Sequence, residues 1–283
     1  MSFIDNPVLS VHLASAQPCF AEEFDNMKDP FYSPHRHEYW EIVWCLKDEG
    51  HQYIDFTEYQ NRANRFFTIT PGQVHSSHCM GDDVRFLVFA TGFIDTHPRN
   101  NQLINSVFSS FDRVPYIDCC DEGIMYLESI FSLLSEECKR PDCDWGLVES
   151  LVTSFMRYLI RYAKPSESST KVYDRRVTRL VELIDKHYKQ EKQSEFYAVQ
   201  LSLTPKRLNE LTKRDRGKSV TQLIHDRLVL EANRELTFSK KSIKKIAFNL
   251  GFVDPAYFSR FYRCQTGETP TNFRLKCSNN ARK

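Results

Sequence analysis

No apolar run in this 283-residue sequence is long enough to cross a membrane, which takes about 20 residues. The first ten residues carry Asp5 and no basic stretch before an apolar core, so they do not resemble a secretory signal. We therefore expect a cytoplasmic protein with no membrane partner.

Cysteine spacing argues against two further classes of protein. The nine cysteines are odd in number and contain no Cys-x-x-Cys spacing, so they predict neither a disulfide framework nor a zinc finger. We expect reduced thiols with structural roles. A redox sensor built on the adjacent Cys119 and Cys120 is an alternative that no other sequence feature supports.

Charge is divided unevenly along the chain. Residues 1–163 contain 12 Lys and Arg against 24 Asp and Glu, a net charge of −12. Residues 164–283 contain the remaining 26 against 13, a net charge of +13, and the two values sum to the overall +1. A basic half predicts a polyanionic partner such as nucleic acid, and the length suits two domains.

The first part of the chain is typical of short strands separated by turns. Four runs are rich in β-branched and aromatic residues: Tyr39–Leu46, Tyr53–Phe56, Phe66–Thr70 and Val84–Phe89. Many short strands at this spacing predict a β-barrel or sandwich over about residues 8–117.

The pattern then changes to helical spacing. Apolar residues recur every three or four positions in Ile124–Leu134 and Leu147–Leu159, with a break near Pro141. The stretch Lys164–Thr170 has the composition of a linker, and the rest is helical in pattern. We predict an α+β fold in four parts: a barrel over 1–117, a helical segment over 118–163, a linker over 164–171 and an all-α domain over 172–283.

An internal repeat runs through the basic part of the chain. Matching positions are offset by 49 before a short turn and by 50 after it. The pairs are Ala198 and Ala247, Leu201 and Leu250, Leu203 and Phe252, Pro205 and Pro255, Leu208 and Phe258, Leu211 and Phe261, Lys213 and Arg263, and Gly217 and Gly267. The inserted residue falls in the turn, where insertion costs little.

Each copy reads as a helix, a short turn and a second helix. Thr204-Pro205 and Asp254-Pro255 each join a capping residue to a first helical residue, and Ser242 caps the first helix of the second copy. The repeated alanines suit the crossing of two helices. A long helix over about Val220–Leu236 joins two helix-turn-helix units.

A helix-turn-helix unit places its second helix in the major groove of DNA. We expect Leu208 and Leu211 of the first copy, and Phe258 and Phe261 of the second, to face the core. We predict base contacts from residues of these helices that do not face it, namely Lys206, Asn209, Glu210, Lys213, Ala256, Ser259, Arg260 and Arg263. Arg260 is able to donate two hydrogen bonds to a guanine edge, Asn209 is able to pair with an adenine edge, and Glu210 is able to accept a hydrogen bond from cytosine. Phosphate contacts are predicted from basic residues near helix ends, namely Arg214, Arg216, Lys218, Arg274 and Lys276.

At these residues the sequence resembles the AraC/XylS family of bacterial transcription regulators. The resemblance covers about residues 172–275 and rests on Phe196–Ala198, Leu208–Lys213, Ile246-Ala247, Gly251-Phe252, Tyr257–Phe261 and Thr266–Pro270. Thr212 departs from it, since the family often has an aromatic residue there, and we expect a slightly looser core in the first copy. The resemblance implies double-stranded promoter DNA as a partner and activation through contact with RNA polymerase.

A histidine-rich segment begins the predicted barrel. In an extended strand His35, His37 and Glu41 share one face, because side chains alternate, and His75 follows the turn at Pro71-Gly72. Three histidines and a carboxylate are able to hold a transition metal.

This segment also resembles the paired cupin motifs His-x-His-x3-Glu and Pro-x-Gly-x2-His. The second motif departs, since no residue separates Pro71 from Gly72, and Cys79 stands where asparagine is common. Regulators of the family often keep such a barrel without a metal and bind an effector in it. We predict no metal and no cofactor, and contacts to a small-molecule effector from His35, His37, Tyr39, Glu41 and His75. Metal binding, and a purely structural role for His35 and His37, remain open alternatives.

The two helices before the linker carry more apolar surface than one barrel edge needs. This excess predicts a homodimer, with Leu151 and Phe155 on the shared face. The alternative is that both helices pack on their own barrel.

The charge division, the repeat and the histidine-rich segment together predict an effector-responsive transcription activator and no enzymatic activity. The rivals are a metal-dependent cupin enzyme with a helical appendage and an architectural protein that binds DNA constitutively.

Overall fold

The computed structural model describes residues 17–23, 34–78, 84–94, 98–108, 114–165 and 174–280. Several features of the sequence lie outside these residues, namely Met1–Ser10, Cys79 and the predicted linker from residue 166 onward. The chain divides into two compact units, Met1–Thr170 and Lys171–Lys283. The predicted boundaries at residues 117 and 163 remain predictions.

Two antiparallel sheets form the framework of the first unit. The strands are β1 Cys19–Glu23, β2 Tyr39–Cys45, β3 His51–Ile54, β4 Thr57–Gln60, β5 Arg65–Ile69, β6 His75–His78, β7 Val84–Ala90 and β8 Tyr116–Asp118. The larger sheet has the order β1-β7-β2-β5-β8, and the smaller has the order β4-β3-β6. These antiparallel sheets, together with the helices of the second unit, confirm the predicted fold class.

The larger sheet separates two apolar cores. Along β2, Tyr39 and Val43 point towards the smaller sheet, where Ile54 joins them in a core. Ile42 and Trp44 point to the other face and pack with helical residues, because successive side chains of a strand alternate. This alternation sends every second residue of β2 into the space between the sheets.

Three helices accompany these sheets. They are α1 Pro98–Val107, α2 Asp121–Cys138 and α3 Trp145–Arg161. Asp144 caps α3 by accepting hydrogen bonds from the Gly146 and Leu147 amides, which confirms the predicted break between α2 and α3. A Cβ atom at Gly123 would lie 2.3 Å from Cβ of Tyr162, so the start of α2 approaches the end of α3 too closely for any other residue.

Two details of the predicted strands were wrong. Helix α1 lies inside the region that we assigned to strands; its buried Leu103, Ile104 and Val107 follow helical spacing. The predicted strand Tyr53–Phe56 ends at Ile54, because Asp55 and Phe56 both have positive φ and form the turn to β4. This turn lacks the Asn-Gly signal that usually marks such a conformation.

The second unit consists of helices in its described residues. They are α4 Arg175–His187, α5 Ser194–Gln200, α6 Pro205–Arg216, α7 Val220–Phe238, α8 Ile243–Asn249, α9 Pro255–Thr266 and α10 Pro270–Asn280. Helices α5 and α6 form the first helix-turn-helix copy, α8 and α9 form the second, and α7 lies between them in sequence.

Capping positions were predicted correctly in both copies. Thr204 accepts a hydrogen bond from the Arg207 amide, and Ser242 accepts one from the Lys245 amide. Asp254 accepts from the two amides that follow Pro255. Local sequence therefore fixes where these helices begin.

The assignment of Phe261 to the core was wrong. Phe258 and Tyr262 are the fully buried residues of α9, whereas Phe261 is half-buried. The buried pair is four positions apart, so α9 is rotated towards Tyr262 relative to our assignment. In the first copy the residue that matches Tyr262 is Thr212, which is buried and donates its hydroxyl to the Leu208 carbonyl.

Within the described parts of the chain, no helix is long and apolar enough to span a membrane.

Candidate nucleic-acid interface and buried histidine cluster

Helix α6 presents a charged surface to solvent. Lys206, Glu210 and Lys213 are exposed, as predicted for residues that reach DNA, while Leu208 on the opposite side is buried. The Glu210 carboxylate pairs with Arg207, one turn earlier, at 3.1 Å. Both partners of this ion pair are exposed, so either is able to exchange it for a contact with a ligand.

Asn209 does not have the free amide that base reading requires. Its Nδ2 donates to the Pro205 carbonyl at 3.1 Å, and its Oδ1 accepts from the Val220 amide at 3.0 Å. The side chain thereby satisfies an amide at the start of α7 and joins α6 to it. We therefore remove Asn209 from the residues expected to read bases.

Helix α9 exposes a mixed surface. Ala256, Arg260 and Arg263 are exposed, and the Arg260 side chain retains 71% of its accessible surface. Its guanidinium lies 3.7 Å from the Asp254 carboxylate that caps the helix. Ser259 is half-buried and donates its hydroxyl to the Pro255 carbonyl at 3.0 Å, which leaves that oxygen as an acceptor.

Two exposed apolar residues in or just before α9 were missed. Tyr257 is 56% exposed and lies one turn before Arg260 on the surface of α9, and Val253, which is 93% exposed, lies just before the helix begins. The helical spacing that places Phe258 in the core also places Tyr257 outside it, so the exposure of Tyr257 could have been predicted from the sequence. The Tyr257 side chain is therefore accessible for contact with a ligand, next to Arg260 on the same helix.

The basic residues near helix ends fall into two groups. Lys218 and Lys276 are exposed and form ion pairs with Asp226 at 2.7 Å and Glu268 at 2.9 Å. Arg214 is exposed, with Asp215 as its ion-pair partner, and Arg216 is half-buried.

The prediction that Arg274 contacts phosphate does not fit the structure. Arg274 is half-buried, its Nε donates to the Leu236 carbonyl near the end of α7 at 3.1 Å, and burial lowers its pKa. The guanidinium satisfies a carbonyl at a helix C-terminus and holds α10 against α7.

The five residues predicted to bind an effector do meet in the first unit. His35 pairs with His75 through two backbone hydrogen bonds of 2.9 and 3.0 Å. The Glu41 carboxylate contacts Nε2 of His37 at 2.6 Å and Nε2 of His75 at 3.2 Å. The Tyr39 ring stacks on His37 with centroids 3.7 Å apart. We call these five residues the histidine cluster.

Glu41 is a buried carboxylate in this cluster, with 1% of its surface exposed. Burial alone raises its pKa, but the charge of His75 and the hydrogen bonds from His37 and His75 outweigh burial and bring the pKa well below its usual range. Burial lowers the pKa of His37. The hydrogen bond with Glu41 acts in the opposite direction but is the smaller effect. The cluster therefore holds an ionised carboxylate at neutral pH.

Tyr39 supplies a buried donor to the cluster. Its hydroxyl makes no hydrogen bond with any described residue. Burial and the charge of Glu41 raise its pKa, so it remains protonated. An unsatisfied buried hydroxyl costs about 1–3 kcal/mol, which a ligand with an acceptor atom would offset.

The histidines also have a geometry that suits a metal. One ring nitrogen from each of His35, His37 and His75 lies within 4.8 Å of the others. Imidazole nitrogens bind zinc, copper, iron and nickel. The prediction that no metal binds here remains a prediction.

The C-terminal part of the chain is similar to known proteins. Residues 197–276 match the family described as a helix-turn-helix domain. The arabinose operon regulatory protein of Salmonella typhimurium is 34% identical over 80 residues, which are 28% of each chain. The HTH-type transcriptional activator RhaS of Klebsiella pneumoniae is 29% identical over 140 residues, 49% of this chain and 50% of that protein.

The solved structure of ToxT from Vibrio cholerae is 13% identical, with a TM-score of 0.41, and covers 91% of this chain and 96% of that one. The chain spans about a quarter of the length of the arabinose regulator that it matches. The likeness in sequence is thus concentrated in the duplicated unit that contains α6 and α9. Residues 197–276 of this chain therefore form a helix-turn-helix domain that is similar to that of the arabinose operon regulatory protein.

Proposed function

We propose that this chain is a sequence-specific, DNA-binding regulator of transcription. The observation that carries the proposal is that both α6 and α9 expose basic side chains, Lys206 and Lys213 on one and Arg260 and Arg263 on the other, within a domain that matches the helix-turn-helix family. The net charge of +13 over residues 164–283 supports a polyanionic partner. The function belongs in the cytosol, where promoter DNA is accessible.

Helices α6 and α9 enter successive major grooves on one side of the duplex, about 34 Å apart. In α6, Lys206, Glu210 and Lys213 face the bases. In α9, Arg260 donates two hydrogen bonds to a guanine edge, and Ala256 with Tyr257 contacts a thymine methyl group. Ser259 and Arg263 complete this surface.

Lys218 contacts a phosphate and carries no sequence preference. Its ion pair with Asp226 is exposed and therefore contributes little, so exchanging it for a phosphate is cheap.

Selection from random duplexes tests the proposal. The full chain should enrich one sequence over the pool, and its affinity should fall steeply with salt, because each phosphate contact releases counterions. Enrichment of no sequence, or an affinity that does not change with salt, would refute DNA recognition.

We further propose that a small-molecule effector binds at the histidine cluster. The ionised Glu41 and the Tyr39 hydroxyl, which has no partner among the described residues, support this, because a buried charge and a buried donor both gain from a polar ligand. His35, His37 and His75 provide further contacts. An effector that prefers one state of the protein shifts its affinity for DNA.

A metal-dependent enzyme was the rival prediction for this unit. The relatives that the chain matches are transcription regulators, and their family is not enzymatic. We therefore do not propose catalysis, although the histidines have ligand geometry.

Dimerisation through α2 and α3, and activation by contact with RNA polymerase, complete the proposal. The exposed sides of these helices carry Met125, Leu133 and Leu147, which are 61%, 54% and 46% exposed. Phe155, which we expected on the shared face, is instead buried against Trp44 and other aromatic residues. The proposed dimer surface therefore rests on Leu133 and Leu147, with the half-buried Leu151.

A further inference from the structure

The turns of the two helix-turn-helix copies share a backbone shape but differ in residue. Ser202 in the first copy and Gly251 in the second occupy matching positions, with φ of 54° and 74°. A left-handed conformation favours glycine, yet Ser202 adopts it with a side chain. The glycine of the second copy therefore satisfies an additional constraint.

That constraint comes from the segment between α4 and α5, which leads into the first copy. A Cβ atom at Gly251 would lie 1.9 Å from the Lys189 carbonyl oxygen and 2.8 Å from Nζ of Lys192. No side chain fits within that distance of a backbone oxygen. Only glycine allows the two segments to approach in this way.

Lys192 joins the two segments through its ammonium group. Nζ donates to the Lys189 carbonyl at 2.7 Å and to the Gly251 carbonyl at 2.9 Å. It also lies 5.0 Å from the centroid of the Phe252 ring, which is buried in the second copy. One charged group thus binds backbone oxygens on both sides. We call this contact of Lys189, Lys192 and Gly251 the inter-copy clasp.

The clasp lies close to both copies of the DNA-reading unit. Lys192 precedes the start of α5 at Ser194, and Gly251 precedes the start of α9 at Pro255. Helix α7 already joins the two copies, but a connection through one helix still allows each copy to bend and rotate about the end of that helix. A second attachment away from α7 restricts both motions.

We propose that the inter-copy clasp sets the separation and relative rotation of α6 and α9, so that the domain accepts two half-sites at one spacing. This inference rests on the proposed DNA binding by these helices. A rigid pair of reading helices is pre-organised for one arrangement of grooves. Binding to any other arrangement strains the domain or the DNA, which lowers the affinity. Lys192 and Gly251 are therefore positioning residues for DNA recognition.

Spacing variants of a selected site test the clasp. The site comes from selection with the unmodified full chain, and one base pair is then inserted between its half-sites, which shifts them by about 3.4 Å and rotates them by about 35°. We expect the affinity penalty for this insertion to be at least about tenfold smaller in Lys192→Met than in the unmodified chain. Gly251→Ala should act in the same direction, and thermal unfolding shows whether each variant is folded.

Ser202→Gly is the matched control, because Ser202 occupies the matching turn position with positive φ and is not one of the residues of the clasp. Its penalty for insertion should equal that of the unmodified chain. If Lys192→Met weakens binding equally at every spacing, Lys192 contacts phosphate and the clasp proposal is overturned. If the unmodified chain selects no duplex, the proposed function fails instead. Should Gly251→Ala not fold, Lys192→Met still decides the outcome.

Discussion

Single residues distinguish the two reading helices. Helix α6 exposes charged side chains, whereas α9 places the apolar Ala256 and Tyr257 beside Arg260. Charged side chains form hydrogen bonds with base edges and phosphates, and apolar ones contact the thymine methyl group. The two copies are therefore expected to contribute unequally to sequence preference.

Replacement of Arg260 by alanine should relax the preference at one base pair. We expect a loss of about 1–3 kcal/mol on the selected site and a smaller loss on random DNA, because a bidentate guanine contact exists only at the correct base. Competition binding against every single-base variant of the site measures this. Lys218→Ala is the control and should weaken all sequences evenly; an even loss in Arg260→Ala would assign that residue to phosphate.

Removal of the Tyr39 hydroxyl should not destabilise the first unit. Tyr39→Phe deletes a buried donor that has no described partner, so the free energy of unfolding without effector should stay unchanged or rise by up to about 1 kcal/mol. Tyr53→Phe is the comparison, since that hydroxyl donates to Glu58 at 2.6 Å, and its loss should lower the free energy of unfolding slightly. Denaturant unfolding of both variants decides, and a marked destabilisation by Tyr39→Phe would show that its hydroxyl is structural.

At the scale of elements, the amphipathic helices α2 and α3 carry the proposed dimer contact. Changing Leu133 and Leu147 together to glutamate should give a folded monomer, because both side chains are largely exposed and their loss leaves the core intact. Analytical ultracentrifugation and circular dichroism measure mass and fold. Leu275→Glu, an equally exposed change in the second unit, should leave the mass unchanged. A dimer that survives the double change would locate the contact elsewhere.

Sequence predicted the elements that depend on local chemistry. The caps at Thr204, Ser242 and Asp254 were identified because each acts within three residues of itself. The meeting of the histidine cluster was also predicted, because Tyr39 and Glu41 alternate onto one face of β2 and His35 and His37 precede that strand at the same spacing. These features require little knowledge of how distant segments pack.

Features that depend on packing between distant segments were not predicted. Asn209 bonds to Val220, eleven positions away, and Arg274 bonds to Leu236, thirty-eight positions away, so their isolated residue types suggested DNA contacts instead. The rotation of α9 that buries Tyr262 in place of Phe261 is likewise set by its neighbours. Tertiary hydrogen bonds and helix rotation follow from the whole domain.

At the scale of the molecule, the division into two units separates an acidic part from a basic part. The second unit has its own core, including Leu208, Phe258 and Ile224, so residues 172–283 should fold and bind duplex DNA without the first unit. Filter binding across a range of salt concentrations measures this affinity. A fragment that is folded but does not bind DNA at low salt would show that the basic faces of α6 and α9 are insufficient.

If α6 and α9 read two successive major grooves, a footprint on the selected site will show both of them in contact with DNA. Hydroxyl-radical and methylation footprinting with the full chain should show two contacted segments about 10 base pairs apart on one side of the duplex. Arg260→Ala should remove guanine contacts from only one segment. A single contacted segment, or two on opposite sides of the duplex, would show that α6 and α9 do not read successive grooves.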